Sequence, residues 1–364
     1  MTALSIPARP AEDASLRPVP WRRMGWVTWR QHRFALTGVV VFLGAVAVYV
    51  WINGLQLHHA YAAAAACHPA TSLACSRLIG EFRVGSFLAN GFNLQAVPAL
   101  IGAFAGAPVL ARELETGTFR YAWTQGFGRW RWALAKLVPL AVAVTAAAGA
   151  FSALLSWYYQ PLFLARNPLT LFPIPSNSLG AGMFDLRGVA FAAWTLAAFA
   201  IGALAGMLIR RVVSAMAVTL AAYAGLAFAT GLYLRLHYLP PEVARNSFSF
   251  FVSDPARPVV VVSQWWTKGG TTVSPSAMNQ VINSTFQRMM PVVHSSKEGA
   301  VAALKQPTNL HVLHFLTQHG YTQWTSYQQA SRFWPIQWIE GGWLFALAVL
   351  LMAATVWLVR RRAA

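Results

Sequence analysis

Long apolar stretches separated by short polar segments dominate the pattern along the chain. Six of these runs approach or exceed the ~20 apolar residues that a helix needs to cross a bilayer. They cover residues 34–53, 93–110, 137–158, 189–209, 212–234 and 343–359. The pattern predicts six transmembrane helices, and therefore an all-α polytopic membrane protein.

The polar N-terminal part divides into two segments. Residues 1–20 carry four prolines and no apolar periodicity, which is typical of a disordered tail. In residues 21–34, arginines share one sector of a helical wheel and larger apolar residues lie opposite, which predicts an interfacial amphipathic helix before the first span. An ordinary basic flank of that span is the alternative.

The remaining boundaries follow from the apolar runs. Residues 35–235 hold the first five spans, with a cytoplasmic loop at 111–136. Residues 236–340 form the largest soluble piece, an extracellular domain expected to be mostly helical, with helices over 276–290, 297–304 and 310–330. Its tryptophan-rich end, 332–340, is typical of an interfacial aromatic belt, although it could instead line a substrate exit. Residues 341–364 supply the sixth span and a basic tail.

Composition and charge agree with a membrane protein and fix its expected orientation. Hydrophobic residues make up 57% of the chain and charged residues 10%, against roughly 25% charged residues in soluble domains. The net charge of +18 comes from basic residues beside the apolar runs, which indicates topology rather than a nucleic-acid partner. More than half of the 28 lysines and arginines lie on one side if both termini are cytoplasmic. The excess of arginine over lysine and the abundance of alanine suggest a GC-rich bacterial genome, so the expected location is the bacterial plasma membrane. The basic residues predicted to anchor the bundle at lipid phosphates are Arg22, Arg23, Arg30, Arg33, Arg129, Arg131, Lys136, Arg210 and Arg211.

Two cysteines and several histidines are candidates for covalent or metal chemistry. Cys67 and Cys75 fall in the first external loop, where they could close a disulfide, with two unrelated thiols as the alternative. The histidines in that loop and near position 314 have no carboxylates at ligand spacing, so no metal site is expected.

Glycine pairs and missing motifs limit the possible mechanisms. Gly102-x-x-x-Gly106 and Gly202-x-x-x-Gly206 favour close packing of helices within the chain over a dimer seam. The spans as drawn contain no Asp, Glu, Lys or Arg at mid-depth, which disfavours an ion-coupled carrier. The chain also has no Gly-x-x-x-x-Gly-Lys-Ser/Thr loop to hold a nucleotide. If the protein performs work, the energy must come from a partner.

A polar hinge between the second and third spans carries the most specific signal. The second span should continue through Glu113 and Glu115 and end at Gly117, which can adopt a left-handed cap. Thr118 can cap a short helix that reaches Gln125. Its aromatic residues give it an apolar surface suited to docking a soluble protein. A helix that merely rests on lipid is the alternative.

This hinge resembles the first cytoplasmic loop of type-2 ABC transporter permeases. The resemblance rests on Glu113-x-Glu115-x-Gly117-Thr118, the Thr124-Gln125 pair, Arg129 and Lys136, and on the similar layout of the whole chain. Gly126 stands where that family often has proline, and the last external loop is longer than the family layout.

The resemblance implies a permease of an ATP-driven exporter that works as a homodimer or as a heterodimer with a second permease. ATP and Mg would bind a separate ABC ATPase subunit, so that this chain is not an enzyme and carries no cofactor. The loop would contain the coupling helix, and the residues expected to contact or brace the ATPase are Glu113, Glu115, Gly117, Thr118, Phe119, Arg120, Trp123 and Gln125. The competing hypotheses are a membrane scaffold or sensor that docks the same ATPase without transport, and a membrane-embedded enzyme or secondary carrier.

Overall fold

Six long apolar helices form the main body of the protein. The computed structural model describes residues 21–67, 73–90, 94–117, 129–164, 181–245, 259–289 and 309–362. Within these ranges, the helices long and apolar enough to cross a membrane are α1 (Trp21–Ala66), α3 (Ala96–Thr116), α4 (Arg129–Leu164), α6 (Gly188–Ile209), α7 (Val212–His237) and α10 (Phe333–Arg362). Each predicted run lies on one of these six helices, and the short helix α5 (Ala181–Phe184) precedes α6. The chain is therefore a multi-pass membrane protein, as the apolar pattern predicts.

The first helix is longer than the sequence suggests. α1 runs without interruption from Trp21 to Ala66, so no break separates the expected interfacial segment from the first span. The side chains of residues 21–36 lie outside the described part, and their amphipathic role stays a prediction. The helix α2 (Leu73–Asn90) then packs back on α1. Cys67 and Cys75 form a disulfide at this turn, with their Cα atoms 5.5 Å apart.

Glycines bring α3 and α6 into direct backbone contact. A Cβ atom on Gly202 would lie 2.3 Å from the carbonyl oxygen of Gly102, and one on Gly106 would lie 2.6 Å from the carbonyl oxygen of Phe199. Any side chain larger than hydrogen would therefore separate the two helices. The two glycine pairs act within the chain, as the sequence favours, and they place α6 at the centre of the bundle against α3, α4, α7 and α10.

A very short turn joins α6 to α7. Arg210 adopts the left-handed conformation with φ 58°, and its backbone N–H donates to the carbonyl oxygen of Gly206 at 3.1 Å. α7 then begins at Val212. This is the tight hairpin that the two arginines between the apolar runs predict.

The piece between α7 and α10 corrects the expectation of a mostly helical domain. It contains a four-stranded antiparallel sheet in the order β1-β4-β2-β3, built from β1 (Glu242–Arg245), β2 (Val259–Lys268), β3 (Thr271–Val273) and β4 (Tyr321–Gln329). α8 (Pro275–Met289) and α9 (Asn309–Gln318) pack beside it through Met278 and Leu316. The helix expected over 310–330 ends at Gln318, because Gly320 turns the chain with φ 78°. The expected helix at 297–304 lies outside the described residues.

The sheet connects directly to the last span. α10 begins at Phe333, eight residues before the predicted boundary at 341. Just before it, the Arg332 guanidinium donates to the Pro240 carbonyl oxygen at 2.6 Å and to Glu242 at 2.8 Å. Trp334 and Trp338 are exposed on the first turns of α10, where exposed tryptophans are typical of a membrane interface. The predicted belt residues are thus helical rather than part of a loop.

Candidate functional site

The candidate site lies at the end of the bundle where α3 and α6 end and α4 and α7 begin, here called the base. Glu113 on α3 and Lys136 on α4 form an ion pair there, and both side chains are largely buried. The Lys136 ammonium also lies 4.7 Å from the centre of the Trp132 ring. The expectation that Lys136 anchors the bundle at lipid phosphates is therefore wrong. Its buried charge is satisfied by Glu113, which joins the second span to the third.

Glu115 makes the second connection at the base. Its Oε2 atom accepts a hydrogen bond from the backbone N–H of Val212 at 3.1 Å. Val212 is the first residue of α7, and the preceding Arg211 provides no side-chain cap. A carboxylate at this position satisfies an orphan donor and interacts favourably with the helix dipole. The two glutamates thus attach α3 to two different spans, α4 and α7.

Gly117 ends α3 as the sequence predicts. It adopts φ 72°, the left-handed conformation that a side chain disfavours. On the final turn, the Thr116 hydroxyl donates to the Arg112 carbonyl oxygen at 2.9 Å. The predicted contact residues Thr118, Phe119, Arg120, Trp123 and Gln125 lie between Gly117 and α4, outside the described residues, so the short helix stays a prediction.

Four of the remaining predicted anchors lie at the base, either in the first turn of α4 or in the turn between α6 and α7. Arg129 and Arg131 are in the first turn of α4, and the Arg131 guanidinium lies 5.3 Å from the centre of the Trp130 ring. Arg210 and Arg211 form the turn between α6 and α7. Of Arg22, Arg23, Arg30 and Arg33 the structure describes only the helical backbone. Contact of any of these residues with phosphates stays a prediction.

A second charged cluster, which sequence reasoning missed, lies at the opposite end of the bundle, here called the sheet end. Arg235 of α7 donates to Glu340 of α10 through Nε at 3.0 Å and Nη2 at 2.9 Å, and it also pairs with Asp185. Trp194 of α6 donates its Nε1–H to the same Glu340 at 2.9 Å. The side chains of Glu340 and Arg235 are both buried between the helices. Arg235 and Glu340 lie just outside the predicted apolar runs 212–234 and 343–359, so the sequence places them as flanking charges, whereas the structure buries both side chains.

Two carboxylates share one guanidinium in this cluster. Burial raises the pKa of Asp185 to about 7, and neighbouring Glu340 adds to this while Arg235 opposes it. Nearby, Gln337 accepts from the Ala190 N–H at 2.8 Å and donates to the Phe184 carbonyl oxygen at 2.9 Å. These contacts join the start of α6 to α7 and α10.

One sequence signal could have revealed this cluster. The buried residues Phe333, Ile336, Gln337, Glu340 and Leu344 recur at helical spacing, so they form one face of a helix. The dense tryptophans of the same segment suggested an interface instead.

Within the described residues, no group of three or more His, Cys, Asp or Glu side chains could hold a metal.

Comparison with known proteins identifies the family. A family model described as ABC-2 membrane transporter related matches residues 39–235, which is more than half of the 364 residues. The chain belongs to this family. No curated protein and no solved structure matches it.

The match covers the first five spans and both glutamates of the base, and it ends before the sheet. The protein is thus a membrane transport permease related to the ABC-2 type. The resemblance seen in the hinge is confirmed at the level of the family.

Proposed function

We propose that the chain is the transmembrane permease subunit of an ATP-driven ABC exporter. It lies in the bacterial plasma membrane with both termini in the cytoplasm. A separate ABC ATPase subunit binds ATP and Mg and docks on the segment 118–128. Two permeases, identical or paired with a sister chain, form the translocation pathway. Family membership supports the transport role, and the base supports the coupling to a partner.

The connections made by Glu113 and Glu115 are the observation that carries this proposal. Segment 118–128 begins next to Gly117 at the end of α3 and returns into α4 at Arg129. Glu113 binds Lys136 of α4, and Glu115 binds the first N–H of α7. A force applied to the segment therefore acts on three spans together.

These connections explain how ATP binding can change the packing of the bundle. Closure of the ATPase partners displaces the segment, and the ion pair and the helix cap carry that displacement into α4 and α7. The spans then shift between inward-open and outward-open arrangements, as rigid elements that reorient around fixed contacts do. ATP hydrolysis belongs to the partner, and this chain supplies the path and the mechanical connection.

The test uses the full-length permease and an ABC ATPase subunit that co-purifies with it, in proteoliposomes. Glu115→Ala removes the cap of α7, and Gly117→Ala forces a Cβ into the left-handed conformation. Both should lower permease-stimulated ATP hydrolysis several-fold or weaken co-purification. Gly149→Ala in α4 is the matched control, because it adds the same Cβ in open space. If both variants bind and stimulate the ATPase as the wild type does, the coupling assignment is wrong. Normal stimulation without net movement of any cargo across the vesicle would favour a sensor.

A further inference from the structure

Arg187 occupies an unusual position at the sheet end of the bundle. It precedes the first residue of α6, and its guanidinium carbon lies 4.0 Å from the centre of the Phe163 ring and 5.2 Å from that of Phe333. These rings belong to the last turn of α4 and the first residue of α10. A guanidinium held between two aromatic faces keeps its charge in a fixed orientation.

The charge of Arg187 has no counterion among the residues that the structure describes. Its Nε atom is buried without a hydrogen-bond partner, and burial lowers its pKa. The two nearby carboxylates are engaged elsewhere, because Asp185 and Glu340 both pair with Arg235. At the same end, Arg332 pairs with Glu242. Desolvating a cation without an anion is unfavourable, so the arrangement favours an anion that the described residues do not supply.

The surroundings of Arg187 indicate where that anion comes from. Trp334 and Trp338 are exposed on the adjacent turns of α10, and a Cβ on Gly188 would lie 3.6 Å from the Trp334 ring. Exposed tryptophans sit at the level of lipid headgroups. Leu164, at the end of α4, is also exposed and offers an apolar surface next to Phe163. The anion that lies at this depth beside apolar surface is the phosphate of a lipid.

The geometry points to Arg187 as a binding site for the phosphate of a phospholipid in the leaflet on the sheet side. Nε is enclosed, but the terminal nitrogens of the guanidinium are not among the buried, unpartnered atoms, so they can donate to two phosphate oxygens. Phe163 and Phe333 hold the guanidinium plane, and the acyl chains lie against the exposed apolar surface of α4 and α10. This site does not depend on the exporter assignment.

Lipid binding to the purified full-length protein in detergent tests the site. The probes are phosphatidylglycerol, a diacylglycerol that lacks phosphate, and inorganic phosphate, each measured by native mass spectrometry and by the shift in thermal unfolding. Wild-type protein should retain phosphatidylglycerol in preference to diacylglycerol. Arg187→Gln should weaken that binding by at least about tenfold, the size of a lost charged hydrogen bond. Arg187→Lys should keep part of the affinity, since it keeps the charge without the bidentate geometry.

Two controls keep the result interpretable. Arg288→Gln removes an exposed arginine of α8 and should bind phosphatidylglycerol as the wild type does. In lipid-free detergent, Arg187→Gln should melt no lower than the wild type, because it removes an uncompensated charge. Unchanged phosphatidylglycerol binding in Arg187→Gln would overturn the site. Equal binding of diacylglycerol would show that the phosphate is not recognised. An equal thermal shift with inorganic phosphate alone would show that free phosphate, rather than a lipid, is the ligand.

Discussion

At the residue scale, the two buried charged clusters differ in their balance. At the base one carboxylate meets one ammonium, Glu113 with Lys136. At the sheet end one guanidinium meets two carboxylates, Asp185 and Glu340. A buried pair is weak evidence for stability by itself, but removing one partner leaves an uncompensated charge. The base pair is therefore best tested by comparing single and double substitutions.

Single substitutions of the base pair should cost more than the double substitution. Glu113→Gln leaves the Lys136 charge buried, and Lys136→Met leaves the Glu113 charge buried, so each should lower the free energy of unfolding by about 3 kcal/mol. The double variant Glu113→Leu with Lys136→Met should stay within about 1 kcal/mol of the wild type, because apolar side chains replace both charges. Thermal unfolding in detergent gives the comparison.

The exposed neighbour Arg112 provides the control for that series. Arg112→Gln changes a charge at the same turn of α3 without entering the buried pair, and a shift within about 0.5 kcal/mol is expected. A double variant as unstable as the sum of the singles would show that the two side chains do not interact. If the double variant folds normally yet stimulates the ATPase poorly, the pair acts in coupling as well as in folding.

At the element scale, the contact between α3 and α6 sets the position of the central helix. Replacing a glycine in a helix by alanine normally raises the free energy of unfolding by about 0.5–1 kcal/mol. Gly202→Ala should instead lower the free energy of unfolding by about 1–3 kcal/mol, because its Cβ would lie only 2.3 Å from the Gly102 carbonyl oxygen. Gly225→Ala in α7 is the matched control, because nothing lies within 4 Å of its added Cβ. Equal melting temperatures for the two variants would contradict the close backbone contact.

The sequence predicts the elements that local pattern determines. The spans follow from apolar length, the α6–α7 hairpin from two arginines between apolar runs, and the cap at Gly117 from the glycine after the paired glutamates. The prediction of a helix over 310–330 is wrong for β4, whose residues Tyr321, Thr322, Trp324, Thr325 and Tyr327 are of types enriched in strands. In a short segment that mixes apolar and polar residues, the spacing typical of a helix is hard to distinguish from that of a strand. The helical spacing of the preceding α9 therefore favours a helix that continues too far.

The charged partners could not be predicted in the same way. Glu113 and Lys136 are 23 residues apart, and Arg235 and Glu340 are 105 apart. Neither separation falls within one helix or one turn, so only the packing of spans brings these side chains together. The sequence singled out Glu113 as an acidic residue between two apolar runs, but it assigned Glu113 to contact with the ATPase partner and not to an ion pair with Lys136. The sequence did not reveal the role of Glu340, because the tryptophans around it indicate a membrane interface.

At the scale of the whole molecule, the spans are tied at both ends by different kinds of contact. The base ties α3 to α4 and α7 through two glutamates. At the sheet end, the pair of Arg235 and Glu340 connects α7 to α10. Glu340 also accepts a hydrogen bond from Trp194 of α6. α7 is held at both of its ends, so a displacement at the base must turn it about the sheet end. Arg332 separately connects the start of α10 to the sheet, through its ion pair with Glu242 and its hydrogen bond to the Pro240 carbonyl oxygen.

Substitutions of Arg235 and of Arg332 should therefore have different effects on stability. Arg235→Met leaves two buried carboxylates without a cation and should destabilise the whole bundle by about 3–5 kcal/mol. Arg332→Gln breaks a partly exposed pair, so it should cost about 1 kcal/mol or less, but it removes the contacts to Pro240 and Glu242 that hold the sheet against the bundle. Hydrogen exchange separates the two: exchange should rise throughout α6, α7 and α10 in Arg235→Met, and only in β1 and the end of β4 in Arg332→Gln. A global rise in Arg332→Gln would mean that the sheet is part of the stability of the bundle rather than a unit attached to it.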